Sequence, residues 1–135
     1  MVVVRDSSLC YTCSVHKLIL NADFIDDRGT ITDLVVGEIT SITHISFTKN
    51  AIRGNHYHKL TTQWKYILHG SLLMATLDSD NKPIETVGKA GDLFVSYPGE
   101  PHAMKAIEAS EMIVITSGPR AGENYNEDTF KINII

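Results

Sequence analysis

Two histidines stand one residue apart in the stretch RGNHYHKLTTQWKYILHG, Arg53 to Gly70, and a third, His102, follows the turn YPGEP. Strand side chains alternate between faces, so His56 and His58 point the same way, about 7 Å apart along the strand. At that spacing both imidazoles can converge on one metal ion or one substrate. Gln63 comes five residues after His58, past the polar KLTT, and can enter the same cavity from the next strand. His102, behind its Pro-Gly-Glu-Pro turn, is a fourth contributor. Histidines titrating near neutrality can take a proton and return it, a contribution of about 10²–10⁴-fold. With free lone pairs they can instead hold a divalent ion. Arg53 offers a forked cation suited to diphosphate, or is a surface residue at the mouth of a turn. A lone histidine is ordinarily a surface or hydrogen-bonded core residue; what distinguishes this set is the recurrence of motif elements around it.

The elements that must carry these residues read as strands throughout. Val15 to Leu20 is rich in strand formers, DDRG (Asp26 to Gly29) is a turn, and Ile31 to Val36 follows as a second strand. SITHISF puts Thr43, Ile45 and Phe47 on one face and Ile42, His44 and Ser46 on the other. Trp64 to Leu68 and Ser71 to Leu77 flank His69-Gly70, a hairpin-like joint; Ile84 to Val87, Leu93 to Ser96 and Glu111 to Thr116 complete the set. Many short strands with Gly and Pro punctuation and no long amphipathic helix predict an all-β sandwich or barrel. The polar then apolar tail, GPRAGENYNEDTFKINII, is expected to pack a short final element on the barrel or on a neighbour. At 135 residues the chain is a single domain, residues 1–135, able to bury a core without staples.

The formal net charge is −4 and no basic run occurs, which argues against nucleic acid as a partner. No apolar run reaches membrane-spanning length, and MVVVRDSSLC lacks the pattern of a signal peptide, so a cytoplasmic location with no membrane partner is expected. Cys10 and Cys13 form a single CxxC without a second pair, and read as plain reduced thiols.

The two histidine-bearing stretches carry a resemblance. HYHKLTTQWKYILHG resembles the first cupin motif and GDLFVSYPGEPH, Gly91 to His102, the second. The resemblance implies a cupin double-stranded β-helix, a jelly-roll barrel that is commonly dimeric. In metal-binding cupins the matching positions are ligands: His56, His58, Gln63 and His102. Gln63 stands where the usual residue is Glu, and Ala106 near the place of the motif's late Asn. A narrower resemblance is to the sugar 3,4-ketoisomerases acting on dTDP-linked 4-keto-6-deoxy sugars, matched at Arg53, Gly54, His56, His58, Lys59, Gln63, Gly70 and Ser71. It implies cofactor-free isomerisation of a nucleotide sugar through an enediol. His56 and His58 are then the acid and base, and Arg53, Gln63 and His102 contact substrate. The strand before Arg53 reads HISF, without the tyrosine of that group.

Three functions follow in order: this isomerase; a metal-dependent cupin such as a dioxygenase, with Fe, Ni, Mn or Zn on the three histidines and Gln63; and a non-catalytic module that binds a sugar or small acid. The register of the strand after Gln63 stays open. Strict alternation sends Lys65 inward and leaves Trp64, Tyr66 and Leu68 outward, a row that a second copy of the chain in a homodimer would cover. A bulge would bring Tyr66 into the cavity. His44 is a secondary candidate, Lys59 reads as solvated, and His16 and His69 read as peripheral.

Overall fold

The computed structural model describes residues 15–120, 122–124 and 126–135. The strands are β1 (His16–Leu18), β2 (Phe24–Asp26), β3 (Gly29–Ile31), β4 (Ser41–Phe47), β5 (Ile52–Tyr57), β6 (Thr62–His69), β7 (Ser71–Leu77), β8 (Pro83–Lys89), β9 (Leu93–Ser96), β10 (His102–Ala106), β11 (Ser110–Ser117) and β12 (Phe130–Lys131). They form two five-stranded antiparallel sheets, β1-β9-β6-β11-β4 and β12-β5-β10-β7-β8, with β2-β3 as a separate hairpin. Among the described residues no helix is long and apolar enough to cross a membrane.

Alternation sends one face of each sheet into the space between them, where Phe47, Ile67, Leu72, Met74, Phe94 and Met112 are buried in one cluster. The sheets approach closely here because β8 carries Gly88. A Cβ at that position would fall 2.6 Å from Ile67 Cδ1 and 2.7 Å from Phe94 Cε2. The outer faces are covered by the chain's own extensions. Leu18, Leu20 and Leu34 join Trp64, Tyr66 and Val95 on one sheet, and Ile132, Ile134 and Ile135 join Ala75, Leu77 and Ala103 on the other.

The expected strand over Ile31 to Val36 stops at Ile31. Leu34 is spent on packing against the outer cluster rather than on strand pairing. The joint His69-Gly70 is observed, with a register shift that leaves Leu68 unpaired opposite β11 and both Leu68 and His69 exposed. The tail adds β12 to the edge of β5 and buries Ile134 on the barrel. Two strands, β10 and β2, were not foreseen. Cys10 and Cys13 lie outside the described residues.

Candidate functional site

The histidines converge because of one irregularity in β5. Gly54 and Asn55 both have positive φ, 89° and 55°. Across from them the register of β10 advances one residue, from His102 to Ala103, while β5 steps two, from His56 to Gly54. Asn55 is the extra residue of a bulge, which sets His56 directly opposite His102. Gly54 permits the approach, since a Cβ there would lie 2.8 Å from the His102 carbonyl oxygen. Asn55 pins the bulge by accepting the N–H groups of Ile134 and Ile135 at 3.0 and 3.1 Å and donating to the Ile135 carbonyl at 3.0 Å.

The three rings surround one point. Ring centroids of His56 and His58 are 4.8 Å apart, of His56 and His102 4.6 Å, and of His58 and His102 5.2 Å. One nitrogen from each ring lies within 4.8 Å of the others. Gln63 enters from β6, as its spacing suggested, with Oε1 3.2 Å from His58 Nε2. These four residues, picked out in the sequence, are brought together. His44 and His69 are not: both lie on the outer surface, 3.2 and 2.8 Å from the two carboxylate oxygens of Glu111. Lys59 is exposed, its Nζ 4.4 Å from the Phe130 ring centroid.

The protonation pattern follows from the hydrogen bonds. His58 Nδ1 is 2.6 Å from the Asp128 carbonyl oxygen, which can only accept, so Nδ1 carries the hydrogen and Nε2 keeps its lone pair. Gln63 Nε2 donates to Thr116 Oγ1 at 3.5 Å. A ring nitrogen and an amide oxygen side by side at 3.2 Å are spaced as neighbouring ligands of one cation. Burial first, then the charges of His58, Lys65 and Arg120, push His56 down to about 4. Burial also dominates in lowering His58 and, to well below its ordinary value, His102. All three are neutral at pH 7, the form that ligates a metal. The donor set therefore fits a divalent ion.

Asp128, which the sequence did not single out, organises the loop that presents His58. Its carboxylate accepts the N–H of Lys59 and of Leu60, each at 2.9 Å, and the hydroxyl of Thr61 at 2.7 Å. Burial pushes this carboxyl up, but those three hydrogen bonds outweigh it and leave its pKa below the ordinary value.

Beside the histidines opens a cavity of about 390 Å³. Ile45, Ile52, Met104 and Val114 line it together with Arg53, Lys65 and Arg120. Arg53 sits at its lip, exposed, with Nη2 donating to the Ser46 carbonyl at 3.1 Å. The register question resolves toward strict alternation: Lys65 is buried inside, while Trp64 and Tyr66 face outward under Leu18 and Leu34 of the same chain. The cover expected from a second copy is thus supplied in large part internally. His16 is not peripheral, since it is buried with Nε2 2.8 Å from Glu100 Oε2. The apolar strand that carries it docks against β9, next to the loop that holds Glu100. Burial pushes the Glu100 carboxyl up to about 8, against the pull of Lys65.

The cupin family model matches residues 35–132, a span that contains every residue of this cluster. The chain belongs to the cupin family. Oxalate decarboxylase of Bacillus subtilis is 29% identical to this cupin over 97 residues, 70% of this chain and 25% of that protein. The chain therefore spans about a quarter of the curated relative it matches. A structure of the same decarboxylase at pH 4.6 superimposes with a TM-score of 0.57 at 26% identity, covering 67% of this chain and 23% of that one. dTDP-4-dehydrorhamnose 3,5-epimerase from Sulfolobus tokodaii gives a TM-score of 0.64 at 18% identity, over 82% of this chain and 72% of the epimerase. The capsular polysaccharide assembling protein CapF from Staphylococcus aureus gives 0.60 at 16%, over 87% and 33%. At those identities the last two likenesses concern the fold.

Proposed function

We propose that this cupin is a divalent-metal enzyme acting on a small molecule held in the cavity beside His56, His58 and His102. The observation that carries the reading is the convergence of three imidazoles, one nitrogen of each within 4.8 Å of the others, with the Gln63 amide oxygen 3.2 Å from His58 Nε2. A histidine pushed down to about 4 is a weak base at neutral pH but an available ligand. His56, His58, His102 and Gln63 would hold the ion. A structure of the Bacillus subtilis decarboxylase is described with Mn(II) centres, which makes manganese the first ion to test. When bound, the ion supplies a Lewis acid that polarises a substrate oxygen. The chain's own groups do the rest. The Asp128 carbonyl fixes the His58 ring, Arg53 and Arg120 place positive charge at the cavity, and the aliphatic wall restricts water.

A second reading is the isomerisation of a nucleotide-linked keto sugar, with His56 and His58 moving the proton. Its support is the match at Arg53, Gly54, His56, His58, Lys59, Gln63, Gly70 and Ser71, and the placement of His56 against the cavity, with His58 beside it at 4.8 Å between ring centroids and Arg53 at the lip. One experiment separates the two. The protein is purified, its metal content measured, and turnover of a keto sugar nucleotide and of small organic acids followed by NMR before and after chelation. The metal reading expects bound ion, and turnover lost on chelation and restored by Mn²⁺. Turnover of the sugar nucleotide that persists in metal-free protein would favour the isomerase.

A further inference from the structure

One charged group in the cavity is used by neither reading. Lys65 is 2% exposed and lies on the inner face of β6 between Gln63 and Ile67. Its ammonium donates to Ser96 Oγ. Among the described residues it has no other hydrogen bond, and no carboxylate lies within ion-pair distance. Glu100, the acid whose charge acts on it, is placed against His16 at 2.8 Å rather than against Lys65. Burying an ammonium against one neutral hydroxyl is costly, and a methionine would fill the same volume without that cost. The cavity is also one-sided in charge. Among the described residues Arg53, Lys65 and Arg120 line it and no Asp or Glu does, while Ile45, Ile52 and Met104 supply an aliphatic wall.

We propose that Lys65 is an anion anchor, whose ammonium receives the carboxylate of a compact aliphatic acid occupying the cavity beside the histidines. The inference names the substrate class of the proposed metal enzyme and rests on that reading for the cavity being the place of reaction. Two features favour a small carboxylate over a larger phosphorylated ligand. The anchor is a single ammonium deep in the pocket, and the wall around it is aliphatic.

The test is calorimetric titration of wild type and Lys65→Met, each metal-free and Mn²⁺-loaded, with manganese measured in every sample. The probes are 2-oxobutyrate, its methyl ester and inorganic phosphate. Wild type is expected to bind the acid, and Lys65→Met to bind it about tenfold or more weakly, as for loss of a charged hydrogen bond. The ester should bind both proteins equally poorly, and Lys65→Met should load manganese at least as well as wild type, since it removes a positive charge near the ion. The anchor is overturned if the acid fails to bind wild type or binds both proteins alike. It is also overturned if the ester matches the acid on wild type, or if phosphate binds more tightly than the acid. The acid–ester comparison on wild type shows whether a carboxylate is needed, and Lys65→Gln assigns it to Lys65 if Lys65→Met does not fold: acid binding unchanged in Lys65→Gln overturns the anchor. Should manganese fail to load while acid binding still depends on Lys65, the metal reading falls and the anchor stands.

Discussion

Four strands change character along their own inner faces. β6 runs from Gln63 and Lys65 to Ile67, β10 from His102 to Met104 and Ala106, β11 back from Thr116 to Val114 and Met112, and β9 back from Ser96 to Phe94. All eleven of these residues are buried. One end of the barrel is therefore a packed apolar core, and the other, on the same strands and in the same register, is a cluster of polar groups around a cavity. The apolar end supplies stability through area and close contact. The polar end spends some of it, since histidines held neutral and an ammonium with one partner are both costly to bury. The two ends should respond in opposite ways to substitution.

The largest effect is expected at the apolar end. Phe94→Ala removes a ring that is 2% exposed and should cost about 3–5 kcal/mol in denaturant unfolding. At the polar end Lys65→Met should instead be neutral or stabilising, by up to about 1–4 kcal/mol, because it replaces a buried charge with an apolar chain of similar volume. If both variants lose stability equally, the contrast between the ends is broken.

The contrast also has a pH signature. His56 is at about 4 in the folded chain and near 6.5 when unfolded. Between those values the unfolded chain holds a proton that the folded chain does not, so stability is full above pH 6.5 and falls as pH drops toward 4. His56→Ala should flatten that part of a stability-versus-pH curve measured by chemical unfolding. An unchanged slope would mean that His56 is not held neutral by the fold. The smallest effect sharpens the comparison within the cluster. Gln63→Glu adds a carboxylate to a neutral donor set and should tighten Mn²⁺ binding by about tenfold in a competition titration. Weaker binding would place Gln63 outside the ligand set.

How much of this was legible in the sequence differs between the two ends. His56 and His58 could be grouped beforehand by period-two alternation, and Gln63 and His102 joined them through the resemblance of their stretches to the two cupin motifs. The same rule sent Lys65 inward. Asp128 was not visible, because it holds His58 through a backbone carbonyl from 70 residues away, and a carbonyl leaves no mark on residue type. The bulge at Gly54 and Asn55 was hidden as well: the glycine reads as part of a motif, while its close approach to His102 depends on a partner strand, β10, that went unrecognised. Apolar composition misled at Ile31 to Val36, where Leu34 packs on the outer cluster from irregular chain. His16 looked peripheral because its partner, Glu100, lies in a loop far along the chain.

The central claim is that His56, His58 and His102 together hold one divalent ion. X-ray absorption at the manganese edge of the Mn²⁺-loaded protein tests it most directly, because imidazole ligands give an outer-shell scattering pattern that oxygen ligands lack. The expected result is one ion per chain with imidazole scattering from three rings, diminished in His102→Ala. An all-oxygen shell, or a spectrum that His102→Ala leaves unchanged, would contradict the account.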